Sequence, residues 1–390
     1  MTIFNNIENR ANTYSIKWDM TEKYLGYKDL LPLWVADSDF KSPPSVLNAI
    51  EKRAKHGIFG YTSQETNTYY NAVKTWYEKT QNLSILEGDI LFSPGVVPGI
   101  NACIQCFTKP NDAIVIQTPV YFPFENGILN NNRKVYKNSL INENGYYTID
   151  FTNLENLLKK AETKMMIFCS PHNPIGRVWT KNELEKISNL CLANKVLLIS
   201  DEIHSDLVLF DNKHIPIWNI NNDIKNNSII LNAPSKTFNI AGLQLSQALV
   251  HSPILRDKFS HQLHAVNGFN HPNCFAVVAA IAAYTDGYDW LNDFKAFIES
   301  QMNYLDLLLK EYLPKAIFIK PEATYLAWIN LSEYYSDTSI DLLIKRDAKV
   351  AFNDGASFGQ EGLHFQRINV STSKQILEKA IVRTSKILNK

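Results

Sequence analysis

The sequence predicts an α/β protein, with a large domain built on a mainly parallel central sheet and a smaller α+β domain. The first observation is a set of short apolar runs that end abruptly in Gly, Pro, Ser or Asp, as strands buried on both faces of a parallel sheet do. The second is helical periodicity between the runs, for example over residues 183–194. Alternating strands and helices indicate a parallel sheet. The runs are 90–92, 113–116, 165–168, 196–199 and 229–231.

The smaller domain is predicted from a change of pattern after about Tyr284. Residues 291–313 have the spacing of a long amphipathic helix, and residues 325–329 and 365–370 resemble strands. A chain of 390 residues is long enough for two domains, and no Gly/Ser linker separates them, so we expect close packing. The predicted domains are 43–284 for the large one, and 1–42 together with 285–390 for the small one.

Composition and charge favour a small-molecule substrate. The 39 basic residues balance 39 acidic ones, so no overall field favours nucleic acid or an acidic membrane. The longest nearly unbroken apolar stretch, 274–284, is shorter than the ~20 residues that a membrane-spanning helix needs. Residues 1–14 are polar and contain no apolar signal core. These features predict a cytoplasmic protein without a membrane or nucleic-acid partner.

The five cysteines predict neither disulfides nor a metal site. Cys103 and Cys106 form a Cys-x-x-Cys pair, but no second pair follows. Val96, Ile100 and Phe107 lie on the same helical face as Cys103. We therefore expect Cys103 to be a core residue.

Reactive and turn-forming residues follow each predicted strand. Because the carboxyl ends of parallel strands meet at one edge of the sheet, we expect these five segments to form a common site. The segments are Ser93-Pro94-Gly95, Thr118-Pro119-Val120-Tyr121, Ser170-Pro171-His172-Asn173-Pro174, Asp201-Glu202-Ile203-His204 and Ser235-Lys236.

The segments contain the groups that a pyridoxal 5′-phosphate (PLP) cofactor requires. Lys236 can form a Schiff base, and Asp201 can keep the pyridine nitrogen protonated. The turn 95–97 opens a helix and offers backbone N–H groups to a phosphate. Arg367 can bind a substrate carboxylate through two parallel hydrogen bonds.

Each of these residues also has an ordinary structural explanation. A lysine after a strand is usually solvated, and an aspartate there usually caps a helix. Pro-Gly before a helix is a common turn, and Arg367 could be structural. The prediction therefore rests on the combination, because one fold would bring all of these residues together.

The order of the motifs strengthens the prediction. From about Trp34 onward the chain resembles the fold-type I PLP enzymes, and within them the MalY/PatB-type cystathionine β-lyases, which cleave cysteine S-conjugates. The resemblance implies a PLP cofactor, a lyase activity and the fold of PLP-dependent transferases. The matching segments are 33–40, 59–61, 93–98, 118–123, 171–179, 200–206, 235–243, 321–325 and 367–369.

The resemblance implies a role for each residue around the cofactor ring. Lys236 would form the Schiff base and then remove the substrate Cα proton. Asp201 would pair with the pyridine nitrogen. Asn173 would bind the phenolic oxygen and lie near the substrate, with His204 assisting. Tyr121 would stack on the ring and face the substrate. Two alternatives stay open, namely that Tyr121 only packs and that His204 only binds a loop backbone.

The resemblance also implies how the phosphate and the substrate are held. Arg367 would bind the substrate α-carboxylate. Tyr61 would reach the phosphate of the neighbouring subunit, which implies a homodimer with shared active sites. The other phosphate-binding residues would be Gly95, Val96, Val97 and Ser235.

Three positions depart from the expected pattern. Ala233 stands where many members of the superfamily have a serine for the phosphate, and Gln244 stands where related transaminases often have an arginine. One phosphate contact is therefore missing or supplied elsewhere, which argues against a plain aminotransferase. Ser38 replaces a methionine of the family pattern, and this could reshape the substrate entrance.

The preferred reaction is β-elimination from a thioether amino acid, cystathionine or another cysteine S-conjugate, to thiol, pyruvate and ammonia. No metal is required. Two alternatives stay open: a class I/II aminotransferase, and a regulatory PLP-binding protein that acts through partner contacts. A pocket that accepts bulky apolar S-substituents, including those of cysteinyl-glycine conjugates, is a further hypothesis. The residues considered for the entrance are Trp34, Ser38, His261, His264, Asn267 and His271, and a surface or core role for them stays open.

Overall fold

A computed structural model of the chain describes residue 4 and residues 7–334 and 339–390. Its central sheet has seven strands in the order β2-β10-β9-β8-β7-β3-β4. All run parallel except β10, which is antiparallel to both of its neighbours. These strands are β2 (Ile90–Ser93), β3 (Ala113–Ile116), β4 (Lys134–Lys137), β7 (Thr163–Cys169), β8 (Leu197–Asp201), β9 (Ser228–Asn232) and β10 (Ser246–Leu249).

The structure confirms the predicted α/β class and all five predicted strands, and it adds β4 and β10. The sequence did not indicate β10 because a glutamine interrupts its apolar pattern. Gln247 is nevertheless buried, and its amide is bound by two hydroxyls. Its Nε2 donates to Tyr69 Oη at 3.0 Å, and its Oε1 accepts from Tyr284 Oη at 3.2 Å. A buried polar group bonded in this way is compatible with a central strand.

Helices cover both faces of the sheet. Alternate strand residues point to opposite faces, so Met166 and Phe168 join one apolar core while Met165 and Ile167 join the other. The helices are α1 (Ile16–Asp19), α2 (Thr21–Leu25), α3 (Pro44–His56), α4 (Asn67–Gln81), α5 (Val96–Phe107), α6 (Pro123–Asn130), α7 (Phe151–Leu158), α8 (Lys181–Ala193), α9 (Asn222–Asn226), α10 (Pro234–Thr237), α11 (Pro253–Ser260), α12 (Cys274–Asp286), α13 (Tyr288–Tyr312), α14 (Ile340–Arg346) and α15 (Lys374–Leu388).

A second, antiparallel sheet forms after the long helix α13 and has the order β11-β12-β15-β14. It contains both strands predicted for the smaller unit, while the domain boundaries themselves stay a prediction. Its register places Arg367 opposite Asn353 and Trp328. The remaining strands are β1 (Leu31–Pro32), β5 (Ile141–Glu143), β6 (Tyr146–Thr148), β11 (Ile317–Phe318), β12 (Leu326–Asn330), β13 (Val350–Ala351), β14 (Asn353–Asp354) and β15 (Phe365–Asn369).

The structure also shows where the cysteines and the apolar stretch 274–284 lie. Cys103 lies on α5 and is fully buried in the core between this helix and the sheet, as predicted. All five cysteines are free thiols. The apolar stretch forms most of α12. None of the helices in the described ranges combines the length and the apolar character of a membrane span.

Candidate active site

The carboxyl ends of the parallel strands open into a cavity of about 620 Å³. Five loops of the large sheet and strand β15 of the small sheet contribute its walls. The structure therefore brings together ten of the eleven residues predicted for the site. The ten are Gly95, Val96, Val97, Tyr121, Asn173, Asp201, His204, Ser235, Lys236 and Arg367.

Lys236 lies on the short helix α10, directly after strand β9. Its side chain is half-buried, and its Nζ donates a hydrogen bond to the carbonyl oxygen of Ala36 at 2.7 Å. Burial lowers the pKa of Lys236 to about 8, with Arg367 adding to the decrease while Asp37 and Asp201 oppose it. About a tenth of the amine is therefore neutral at pH 7, far more than for an ordinary lysine, and the neutral amine is the form that Schiff-base formation and proton abstraction require.

A buried network anchors the helix that carries this lysine. Thr237, the next residue, donates its hydroxyl to Asp206 Oδ2 at 2.9 Å. Asp206 also accepts the indole N–H of Trp76 at 3.1 Å and the amide of Gln81. Because the carboxylate is bound from three sides, α10 is fixed to helix α4, and the direction of the Lys236 side chain is fixed with it.

Asp201 ends strand β8 at the floor of the cavity. Its Oδ1 accepts the backbone N–H of Ile203 at 3.1 Å. Burial raises the pKa of Asp201 to about 7, an effect that the Ile203 hydrogen bond and the charge of Lys236 reduce. Within the described part of the chain, no cationic side chain forms an ion pair with it at 4 Å or less. A cationic ring nitrogen would stabilise its charged form.

Arg367 connects the two sheets at the cavity wall. Its Nη1 donates to Asn173 Oδ1 at 3.0 Å, and its Nη2 donates to Asn353 Oδ1 and to the carbonyl oxygen of Trp34 at 3.1 Å. The guanidinium also lies 4.8 Å from the ring of Phe358. Burial lowers its pKa to about 10, so it stays charged at neutral pH.

His204 lines the same cavity and is buried, and its Nδ1 has no hydrogen-bond partner in the described structure. Burial, with the charges of Lys236 and Arg367, lowers its pKa to about 3, so the ring is neutral. A neutral imidazole with a free nitrogen can accept or donate one hydrogen bond in the cavity. Tyr121 lines the cavity and also packs on Phe124 at 6.0 Å, so both interpretations of this tyrosine are compatible with the structure.

The candidate phosphate site is the start of helix α5. Gly95 is the N-cap residue, and the N–H groups of Val96 and Val97 lie in the first turn, where no intrahelical acceptor exists. These donors and the positive end of the helix dipole suit a phosphate. Two of the three departures from the family pattern, Ala233 and Gln244, line the cavity. An amide at position 244 can offer a hydrogen bond but no charge.

Tyr61 is the one predicted site residue that this chain does not bring to the cavity. Its side chain is 100% exposed, and the nearby Ile58 and Phe59 are 67% and 58% exposed. The expectation that it contacts another subunit stays a prediction.

The sequence did not identify a set of backbone acceptors at residues 34–37. The carbonyl of Ala36 accepts from Tyr325 Oη at 3.0 Å as well as from Lys236. Asn369 Nδ2 donates to the carbonyls of Val35 and Asp37. No residue-type pattern reveals such acceptors, because every residue carries a carbonyl. Only the resemblance at 33–40 indicated that this segment belongs to the site.

The expected entrance residues need a correction. Trp34 lines the cavity, but Ser38 does not: it is buried, and Ser371 Oγ donates to its Oγ at 2.7 Å. The substituted position is therefore part of the packing behind the cavity wall. The three histidines and the asparagine of residues 261–271 are also absent from the lining, where Phe122 and Phe269 lie instead.

The groups without partners are complementary to PLP and an amino acid. The Asp201 carboxyl group needs a cation, and the first N–H groups of α5 need an anion. Two buried nitrogens, His204 Nδ1 and Arg367 Nε, have no partner. A pyridinium, a phosphate, a phenolic oxygen and a carboxylate would satisfy these groups, so the residues fit the cofactor with its substrate.

Residues 28–383 match the family described as aminotransferase class I and II. The chain belongs to this family. It is 40% identical over 387 residues to cystathionine beta-lyase PatB of Bacillus subtilis (strain 168), covering 99% of this chain and 100% of that protein. PatB is a named member of the lyase group that the sequence motifs indicated, so the predicted membership is confirmed.

Solved structures give the same result for the fold. Cystalysin from Treponema denticola, which contains a pyridoxal 5′-phosphate cofactor, has a TM-score of 0.95 and 33% identity, with 99% of this chain and 98% of that chain covered. The PLP-bound C-S lyase from Staphylococcus hominis has a TM-score of 0.93 and 32% identity over the same shares. The predicted fold of PLP-dependent transferases is confirmed.

Proposed function

We propose that this chain is a PLP-dependent carbon–sulfur β-lyase that cleaves cystathionine or other cysteine S-conjugates to thiol, pyruvate and ammonia. The full-length similarity to a cystathionine beta-lyase supports the reaction class. The site itself also favours elimination, because it contains few cations. Among the described lining residues, Lys236 and Arg367 are the only lysine and arginine. A transaminase that exchanges dicarboxylic acids needs a second cation for the distal carboxylate.

The residues divide the chemistry as follows. PLP, when bound, supplies an electron sink that stabilises negative charge at the substrate Cα. Asp201 would form an ion pair with the positively charged ring nitrogen. In the described part of the chain alone, this buried carboxyl group has no cationic partner. Lys236 would hold the cofactor and then, as a free amine, take the Cα proton. Its lowered pKa keeps the amine a usable base near neutral pH.

Binding and orientation would come from four other residues. Arg367 would pair with the α-carboxylate, on the wall it shares with Asn173. Tyr121 would stack on the ring, and Asn173 with His204 would bind the phenolic oxygen. Loss of the thiolate from Cβ leaves an aminoacrylate, which water converts to pyruvate and ammonia.

A homodimer with shared active sites is part of the proposal. The exposed segment that contains Ile58, Phe59 and Tyr61 supports it, because three adjoining large apolar or aromatic side chains on a surface indicate a contact region. If Tyr61 completes the neighbouring phosphate site, Tyr61→Ala should weaken PLP binding without preventing dimer formation. PLP titration and sedimentation measure the two effects separately. A cytoplasmic location also stays a prediction, and five free cysteines support it.

The decisive experiment is incubation of the PLP-loaded enzyme with cystathionine or S-alkyl cysteines without added keto acid. We expect equal amounts of thiol and pyruvate, detected with a thiol reagent and with lactate dehydrogenase. An absolute requirement for a keto acid would instead identify an aminotransferase. Lys236→Ala should remove the activity, and a biological effect that survives this change would indicate the regulatory alternative.

A further inference from the structure

The charged side chains that line the cavity are already used by the cofactor and by the amino-acid part of the substrate. Among the described lining residues these are Asp201, Lys236 and Arg367, and the neighbouring imidazole of His204 is held neutral. No carboxylate and no ammonium or guanidinium group of this wall remains for the far end of a substrate. The S-substituent must therefore meet uncharged groups.

The part of the cavity that would receive the S-substituent is the part next to Arg367, the proposed site of the α-carboxylate. The ring of Phe358 lies 4.8 Å from this guanidinium, and the ring of Phe122 lies 6.2 Å from Phe358. Phe122 also follows Tyr121, whose ring is 5.4 Å away. Phe358 lies behind the lining, whereas Tyr121 and Phe122 line this side of the cavity and make it aromatic. Trp34 and Val35 extend it with further apolar surface.

The outer rim has the same character. Phe122 and Phe269 both line the cavity and are 40% and 41% exposed, so they lie where it opens to solvent. The segments 57–61 and 266–270 contain no charged residue. If the first of these segments reaches the neighbouring site, as proposed for Tyr61, it adds aromatic and apolar surface rather than charge.

We infer that the preferred substrates are cysteine S-conjugates whose S-substituent is uncharged and mainly apolar, rather than cystathionine. This inference rests on the proposed lyase function. In cystathionine the leaving thiol carries an ammonium and a carboxylate, and neither finds a partner on the described wall. In the reaction the Cα–H bond breaks and its proton passes to Lys236 Nζ. The Cβ–S bond then breaks with its electron pair on sulfur, and a double bond forms between Cα and Cβ.

The test compares kcat/KM for S-methyl-, S-ethyl- and S-propyl-cysteine with the values for S-carboxymethyl-cysteine, S-aminoethyl-cysteine and cystathionine. Each added methylene should raise kcat/KM by up to about fourfold through burial. Each charged substrate should be at least about tenfold poorer than S-propyl-cysteine, since its charge loses water without gaining a partner. A cystathionine value equal to or above that of S-propyl-cysteine would overturn the inference and leave the lyase function intact. Thiol release from none of these compounds would contradict the lyase function itself.

A variant tests the location of the pocket. Phe122→Lys places a cation at the aromatic wall, and Phe122→Leu is the matched uncharged control. We expect the Lys variant to raise the ratio of kcat/KM for S-carboxymethyl- over S-propyl-cysteine by about fivefold, the upper range for a partly exposed ion pair. The Leu variant should leave that ratio unchanged. If a PLP-loaded, active Lys variant keeps the parental ratio, the S-substituent does not lie at this wall and the inference fails.

Discussion

The hydrogen bonds of Arg367 lead to a quantitative prediction about Asn353. A guanidinium has five N–H donors, and a carboxylate can bind two of them side by side. The two possible pairs are Nη1 with Nη2 and Nε with Nη2, so both include Nη2. Both N–H groups of Nη2 are occupied, one by Asn353 Oδ1 and the other by the carbonyl of Trp34. An incoming α-carboxylate must therefore replace one of these acceptors. The neutral amide of Asn353 and the backbone carbonyl are acceptors that a carboxylate can displace.

The substitution Asn353→Asp makes this exchange unfavourable. The change is isosteric, but it converts a neutral acceptor into a carboxylate bound to a buried guanidinium. The bond from the charged guanidinium to the neutral amide already contributes about 1.5–3 kcal/mol. A negatively charged acceptor adds an ion-pair attraction of about 1.5 kcal/mol or more. Repulsion between the introduced carboxylate and the α-carboxylate acts in the same direction. We expect kcat/KM to fall by about 10- to 100-fold, mainly through a higher KM.

The assay is pyruvate formation from S-propyl-cysteine over a range of concentrations, with PLP content measured by absorbance. PLP content should not change, because Asn353 contacts Arg367 and not the groups predicted to hold the cofactor. Asn330→Asp is the matched control: it lies in the same small sheet, and its Oδ1 accepts the Ser332 N–H, which an aspartate can also do. An unchanged KM in the fully loaded Asn353→Asp enzyme would refute the assignment of Arg367 as the carboxylate site.

Three further changes test the site and the loop that carries Asn173. Burial lowers the pKa of Lys236 to about 8. The rate of covalent PLP binding to the cofactor-stripped enzyme should therefore increase with pH and level off above about pH 8. A rate that keeps rising toward pH 10.5 would contradict the lowered pKa. Burial raises the pKa of Asp201 from 3.8 to about 7, so its charged form destabilises the stripped protein as the pH rises through that range. Asp201→Asn should accordingly raise the melting temperature at pH 8 but not at pH 4, and should reduce lyase activity in the loaded enzyme; an equal shift at both pH values would refute the cause. Gly176→Ala should lower the free energy of unfolding by at least ~1 kcal/mol, since its φ is +71° and a Cβ would lie 2.2 Å from Pro321 Cβ. Gly242→Ala, with open space around it, is the control, and equal denaturation midpoints for the two variants would exclude the clash.

The sequence was sufficient to predict the parallel part of the fold. Strands buried on both faces are continuous apolar runs, and the direction of a parallel sheet places their following residues at one edge. The same reasoning predicts that Asp201 and Lys236 share one cavity. Strand β10 was missed for a physical reason: Gln247 is polar by type, and its burial depends on hydroxyls from Tyr69 and Tyr284, which are distant in sequence.

The small sheet shows the limit of local patterns. The strand that carries Arg367 could be predicted, but its antiparallel register could not, and that register sets Asn353 beside the guanidinium. In the same way Ser38 departs from the family pattern near the site, yet its side chain points into the packing against Ser371. Side-chain direction and strand register are set by contacts between segments far apart along the chain.

By itself, then, the sequence determined the fold class, the family and the identity of the main reactive groups. These follow from residue types and from which residues come directly after each strand, and both can be read from neighbouring positions along the chain. Tertiary structure decided which groups share hydrogen bonds. It placed the carbonyl of Ala36 within reach of Lys236, and Asn353 beside Arg367, and it placed Phe122 rather than the histidines of 261–271 at the opening. It also left Tyr61 fully exposed on the single chain. These outcomes depend on distances between separate loops and strands, which only the packed chain fixes.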